Sequence, residues 1–259
     1  MFPVAFPAGW VGNYTVPSGV FLVQNAAFAN CAGLTNIFVD QGNLFYSSLN
    51  GVLFDRLQTT LVEYPDGKVG GYVVPAGVVS IGVSAFLECT NLTSVTIPDT
   101  VTNIGSQAFG ECSYLSRVTI GNRLATIGDY AFQYCVFLKS LYFTGNAPTT
   151  NSDVLTGDMF ATVYYSPGTT GWGSTYDGLP AVLWNPQVQN DASFGLLNNQ
   201  FGFDISGNSN LVVVVEATTN LLNPVWLPVV TNSLTSGSSH FSDVQSANYP
   251  GRFYRLSVP

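Results

Sequence analysis

Thiols, one imidazole and a few carboxylates are the groups here that could do chemistry. The four cysteines are Cys31, Cys89, Cys112 and Cys135, and the last three are evenly spaced. Cysteines can pair, hold a metal or act as nucleophiles. A metal needs converging ligands, commonly from a C-x-x-C pair, and no such pair occurs. Four thiols would also suit two disulfides, and thiols on adjacent repeats could approach bonding distance. Their even spacing instead gives each the same place in a recurring unit, where a buried free thiol packs as a small apolar group. The only histidine, His240, lies in GSSHFSD. A Ser-His-Asp triad would have to recruit Ser238, Ser239 or Asp243, and no G-x-S-x-G elbow is present, so His240 is expected to be a surface bystander. Glu88 and Glu111 are separated by the same interval as Cys89 and Cys112. Stacked on one edge they could hold Ca²⁺, although a solvated rim is the simpler reading. Asp129, Asp153, Asp158 and Asp177 form no D-x-D-x-D-G loop. The sequence therefore points to no catalytic residue, no metal and no cofactor.

The element that positions these groups is a repeat. IGVSAFLECTNLTSVTI, IGSQAFGECSYLSRVTI and IGDYAFQYCVFLKSLYF are one pattern written three times, starting at the evenly spaced Ile81, Ile104 and Ile127. A fixed 23-residue period signals a solenoid, whose units bury their apolar faces only by stacking. In each unit Leu-x-x-Val-x-Ile reads as a short strand, with Val95 and Ile97 inward and Ser94 and Thr96 outward. Ile97-Pro98 to Ile104-Gly105 reads as a turn and a second extended piece, and Ala-Phe-x-x-Cys as one helical or tight turn.

A longer offset extends the array. Val4–Val20 matches Val62–Val78 through Gly12/Gly70, Tyr14/Tyr72 and Pro17/Pro75, and the same 58-residue offset holds for Cys31/Cys89. The larger unit contains an insertion near residues 41–72, in which Asn50-Gly51 and Asp66-Gly67 are turn dipeptides. GVLF and TTLVEY within it read as paired strands. After Gly145 the period is expected to fail. Strands ATVYY and AVLW, with a Gly-rich loop carrying Trp172, should cover the apolar end beyond Phe143. Past the linker PQVQND, short strands between Gly/Asn/Ser turns suggest a β-sandwich. The expected fold is mainly β: a repeat solenoid with short helical turns over 1–145, a β-rich capping segment over 146–186 and a small all-β sandwich over 187–259.

Composition narrows the function. Only 8% of the 259 residues are charged, about a third of the usual ~25%. Net charge is −8 with seven Lys plus Arg and no basic run, which argues against nucleic acid and against an anionic membrane surface. No apolar run reaches the ~18 residues of a membrane span. MFPVAFPAGW lacks the charged start of a signal peptide. Because the chain starts inside a repeat, loss of a signal peptide and earlier repeats is expected.

The pattern, together with YSSLNGVLF…TTLVEYPDGK…YVVPAGVVSIG, resembles the BspA-type leucine-rich repeat family from about Val4 to Gly145. Gln24 and Gly121-Asn122 depart from it, which suggests altered turns in the first and last units. The resemblance implies a secreted or surface-attached protein, a binding or adhesive role, and a core role for the cysteine. LVVVVEATTNLLNPVWLPV…FSDVQSANYPGRFYRL resembles a small module that ends many exported proteins of environmental diderm bacteria, implying display, secretion or attachment.

The residues that recur build the solenoid, so ligand recognition is assigned to those between them. Asn36, Phe38, Ser94, Thr96, Arg117, Thr119, Ser140 and Tyr142 should form one continuous outward strip of polar and aromatic groups, suited to an extracellular protein or a glycan. For any single position, strand propensity explains the residue as well. Two other classes stand beside this one. The chain could self-associate through an uncapped N-terminal unit into filaments or a surface layer. More weakly supported is a secreted hydrolase using His240.

Overall fold

The computed structural model describes residues 9–150 and 153–259, so the match over residues 4–8 lies outside it. The protein is mainly β, and its described residues hold one short 3₁₀ helix, Ser246–Asn248. It divides into two compact units, Met1–Ala181 and Val182–Pro259.

In the first unit each repeat contributes two short strands to two parallel ladders. One seven-stranded sheet runs in the order Gly70–Val73, Leu92–Ile97, Arg117–Ile120, Ser140–Phe143, Thr162–Tyr165, Leu179–Leu183, Thr175–Tyr176. The other begins with Tyr46–Leu49, Val52–Asp55 and Thr60–Glu63. It continues through Ser80–Ile81, Asn103–Ile104, Thr126–Ile127 and Thr149–Thr150. The Ala-Phe-x-x-Cys segment forms tight turns rather than a helix. Ser84 and Glu88, Gln107 and Glu111, and Tyr130 and Tyr134 all have φ between 55° and 60°. That geometry aims backbone N–H groups at the next coil: Phe86 N bonds to Ala108 O and Phe109 N to Ala131 O, both at 2.7 Å. Intercoil bonding replaces the i−4 pairing of a helix and satisfies the same donors.

Inside, like residues stack. The Phe86, Phe109 and Phe132 rings lie 4.6 and 4.9 Å apart and nearly parallel, and Tyr64 extends the stack onto Phe86 at 4.9 Å. The four cysteines are buried thiols, none of them in a disulfide among the described residues. The Cys112 thiol donates to Phe86 O at 2.9 Å and the Cys135 thiol to Phe109 O at 3.1 Å.

The period does not end at Gly145. Thr149–Thr150 and Thr162–Tyr165 add another rung to each ladder, because turn and strand positions still recur at nearly the same interval although their Phe and Cys are gone. Trp172 then packs on Phe143 at 5.0 Å and stacks on Tyr165 at 5.1 Å.

The 58-residue offset survives in three dimensions. Val11–Val16 pairs with Gly33–Val39 as Gly70–Val73 pairs with Leu92–Ile97, with the same one-residue register break after Gly12 and after Gly70. Both glycines adopt φ near +91°, a conformation that a side chain disfavours. The insertion forms a three-stranded meander. Its hairpin turns at Asn50 and Gly51, both with positive φ, the geometry of a tight two-residue turn. Val52–Asp55 then pairs with Thr60–Glu63. This meander is a wall between two cores: Leu53 packs with Phe28, Cys31, Leu34 and Ile37, while Val52 and Phe54 join the main stack.

The second unit carries two antiparallel sheets in the manner of a small β-sandwich. Gln200–Ser206 pairs with Ser238–Asp243, Gln187–Val188 and Gly195–Leu197. Leu211–Thr218 sits between Leu227–Leu234 and Phe253–Ser257. Phe203, Ile205, Val213, Val215 and Phe241 are buried in its core. Two buried carboxylates are paired: Asp243 accepts from Arg252 at 2.5 Å and Glu216 from Arg255 at 2.7 Å. No helix among the described residues is long and apolar enough to cross a membrane.

Candidate binding surface

Strand register places most of the expected residues in two rows. Ser94, Arg117 and Ser140 are direct neighbours across three strands, and Thr96, Thr119 and Tyr142 form the next row. Thr162 and Tyr164 extend the two rows. Alternation requires this, since Val95, Val118 and Leu141 between the rows fill the core. Two expectations need correction. Ser140 is fully buried at 0% exposure, so it presents nothing to a ligand. Tyr142 is half-buried rather than exposed, and its hydroxyl shares a 2.8 Å hydrogen bond with Ser166 Oγ.

The strip is also not continuous. Asn36 and Phe38 belong to a separate two-stranded sheet. The hairpin stands against that strand: Ile37 N bonds to Gly51 O at 2.8 Å and Ser48 Oγ to Ile37 O at 2.6 Å. A Cβ on Gly51 would lie 2.2 Å from Asn36 Oδ1, so the turn needs glycine there. The insertion thus breaks the strip and leaves a hollow of about 730 Å³, lined by Phe38, Tyr46 and several polar side chains. Asn36 is half-buried and Phe38 exposed, either side of the buried Ile37, but the hairpin's docking depends on long-range pairing that no local pattern encodes.

Among the described residues the remaining candidates do not converge on one site. His240 Nδ1 lies 2.6 Å from Asp204 Oδ1, both side chains being substantially exposed. Its Nε2 edge faces Gly202, and among the described residues no serine hydroxyl bonds to the ring. No group of three or more His, Cys, Asp or Glu residues could hold a metal ion among the described residues. Burial pushes the Cys89 and Cys135 thiols well above their ordinary range, which keeps them protonated and unreactive. Among the described residues of the first unit, three carboxyls are buried. Burial, reinforced by Asp66, raises Glu63 well above the usual range. Burial likewise raises Asp66 to about 6 and Asp158 to about 8.

The sequence reading misses one surface feature. Tyr114, Phe137 and Phe160 recur at the repeat period just before the core Leu, Leu and Ala. Tyr114 and Phe137 stack at 5.5 Å, Phe160 is 81% exposed, and Met159, Val136 and Tyr134 are exposed beside them. Its signal is a set of aromatic residues at the repeat spacing in an otherwise polar turn. That signal is faint because it does not run through every copy: Asn91 occupies the earlier rung.

Residues 64–174 match the BspA type leucine rich repeat region. Among solved structures, the pneumococcal vaccine antigen PcpA is similar at 23% identity and a TM-score of 0.56, over 66% of this chain and 42% of that one. A leucine-rich repeat protein from Eubacterium ventriosum matches at 22% identity and a TM-score of 0.56, over 70% of this chain and 54% of that one. A leucine rich cell surface protein from Faecalibacterium prausnitzii matches at 24% identity and 0.55, over 66% and 47%. These likenesses concern the fold. The chain spans about half the length of each of these proteins. No curated protein matches the chain.

Proposed function

From a repeat array that matches the BspA type leucine rich repeat region over residues 64–174, we propose a secreted or surface-displayed, non-enzymatic binding protein that recognises protein or glycan through its outward strand surface. The observation that carries this is a division of labour. The residues that recur between coils are buried, whereas those that vary, such as Ser94 against Arg117 and Thr119 against Tyr142, lie on the outward rows. A rigid scaffold that varies only its surface is a recognition device. The surface location is supported by the similarity to a protein described as a leucine rich cell surface protein and to a vaccine antigen. The working surface comprises Ser94, Thr96, Arg117 and Thr119, with Tyr142 at its margin and Asn36 and Phe38 beyond the hairpin. The test is an array of extracellular proteins and glycans probed with the wild type and with Thr96→Arg/Thr119→Arg. Both threonines point outward, so folding should be unchanged and capture should fall at least tenfold. Capture by the wild type that the double variant leaves intact, with Asn36 and Phe38 also dispensable, would sink the strand-face reading.

The Tyr114–Phe137–Phe160 ridge favours a second reading, self-association. A contiguous apolar surface on a sparsely charged chain is a common site of protein contact. Sedimentation of the wild type against Phe137→Lys/Phe160→Lys distinguishes them: a wild-type assembly dissolved by the lysines supports assembly, and a monomer at high concentration rejects it.

A further inference from the structure

The hollow beside the hairpin has composition as well as shape. Several of its polar groups are already committed to the protein. Tyr46 Oη accepts from Val23 N at 2.9 Å, Ser48 Oγ donates to Ile37 O at 2.6 Å, and Asn36 Nδ2 donates to Asn13 Oδ1 at 2.8 Å. These bonds fix the walls. Four other lining side chains, Gln41, Asn50, Arg56 and Gln58, have no partner among the described residues. Gln58 and Asn50 are held by backbone at φ 58° and 52°, which presents both amides from tight turns. Phe38, 43% exposed, supplies an apolar face. Asp40 lies at the rim, with Oδ1 taking the Gly42 N–H at 2.8 Å.

We propose that this hollow binds a carboxylated sugar, a uronic or sialic acid unit of a glycan. The proposal rests on the reading that the outward strand surface binds ligand, and it names the ligand for one part of that surface. Arg56 is one of only seven cations in a chain of net charge −8, and among the described residues it is the only cation lining the hollow. A guanidinium matches a carboxylate with two parallel N–H···O bonds. Three carboxamides offer donors and acceptors together, which suits hydroxyls that do both. A ring face at Phe38 suits the C–H side of a pyranose. A phosphate would want more cations than one, and an apolar peptide side chain would leave the amides unpaired. Asp40 disfavours a second negative charge nearby, so the site takes one acid per sugar. The volume lies within the ~300–1,000 Å³ of small-molecule sites.

The test is calorimetric titration of the full chain with oligogalacturonate, a hyaluronan fragment and sialyllactose, each beside its methyl ester. At least one acid should bind, with its ester weakened tenfold or more. Arg56→Gln and Phe38→Ala should each weaken binding at least tenfold, with unchanged melting temperatures because both residues are exposed. No binding of any acid would overturn the proposal, as would equal binding of acid and ester or full binding by Arg56→Gln. If glycan or protein capture is lost in Thr96→Arg/Thr119→Arg but kept in Arg56→Gln, this inference fails and the strand-face reading stands. If Arg56→Gln alone abolishes binding of the acid, both stand. If capture survives every variant, both fail.

Discussion

Asp66 and Asp158 occupy the same place at opposite ends of the cysteine column, one repeat before Cys89 and one repeat after Cys135. Both are buried at 2% exposure. Asp66 is partnered: Oδ2 accepts from Cys31 N at 3.0 Å, and the Cys89 thiol points at Oδ1 at 3.5 Å. Neither oxygen of Asp158 has a hydrogen-bond partner among the described residues. The Cys135 N–H favours its ionisation but is directed at Phe132 O at 3.4 Å. The position asks for a small group that can donate, as the thiols of Cys112 and Cys135 do to carbonyls of the preceding coil. An ionised carboxylate can only accept. At the insertion end an irregular coil supplies donors, so the acid becomes a joint between the two cores. At the far end the regular geometry supplies none of that quality, and the acid is tolerated in its protonated form. Regular coils bury what fits them, and the irregular one builds the polar detail and the hollow.

The strongest way to break this contrast is to damage the regular part. Phe109 sits between Phe86 and Phe132 with no exposed surface. Phe109→Ala should destabilise the first unit by ~3–5 kcal/mol through lost burial and the cavity left behind, measured by urea unfolding followed with a probe specific to that unit. A loss below ~1 kcal/mol, well under that range, would mean that the coils do not depend on the stack. Next comes the joint. Asp66→Ala removes the carboxylate acceptor of the buried Cys31 N–H and leaves it only the bond to Phe28 O at 3.2 Å, at a cost of ~1–2 kcal/mol. Amide exchange at Cys31 should accelerate more than at Cys112, where no side chain of this kind intervenes.

How much of this was legible follows the same division. The stack, the thiol column and the two ladders were readable because each rests on the 23-residue period, and the paired glycines at 12 and 70 on the 58-residue offset. The hollow was not, because it depends on how Asn50-Gly51 docks against Asn36, a contact between segments that are each ordinary by themselves. The burial of Ser140 was invisible for a related reason: alternation assigns it to the outward face, and only the folded chain reveals that this part of the face is covered. The extra coil after Gly145 was hidden because its core residues had changed identity, with Asp158 standing at the cysteine position. The polar side chains of Arg56, Gln41 and Gln58 lay in an insertion whose local pattern shows only turns and paired strands.

The smallest expected effect sharpens the contrast most. Asp158→Cys would extend the thiol column by one rung and remove a buried carboxyl that has no partner. Because burial raises the folded-state pKa of Asp158 to about 8, against an unfolded value near 3.8, the native state holds its proton longer than the unfolded state. The stability tied to this group is therefore complete below about pH 4 and is lost as pH rises towards and through 8. Asp66, raised to about 6, adds a loss of the same sign over a lower range, though its partners soften it. The wild-type first unit should thus be more stable at pH 5 than at pH 9. Asp158→Cys should gain ~1 kcal/mol at pH 5, gain more at pH 9, and flatten the dependence above pH 6, where Asp66 has largely titrated. Thermal melts across pH 4–9 read all three, and a variant whose pH profile parallels that of the wild type would show that Asp158 is solvated or paired in solution.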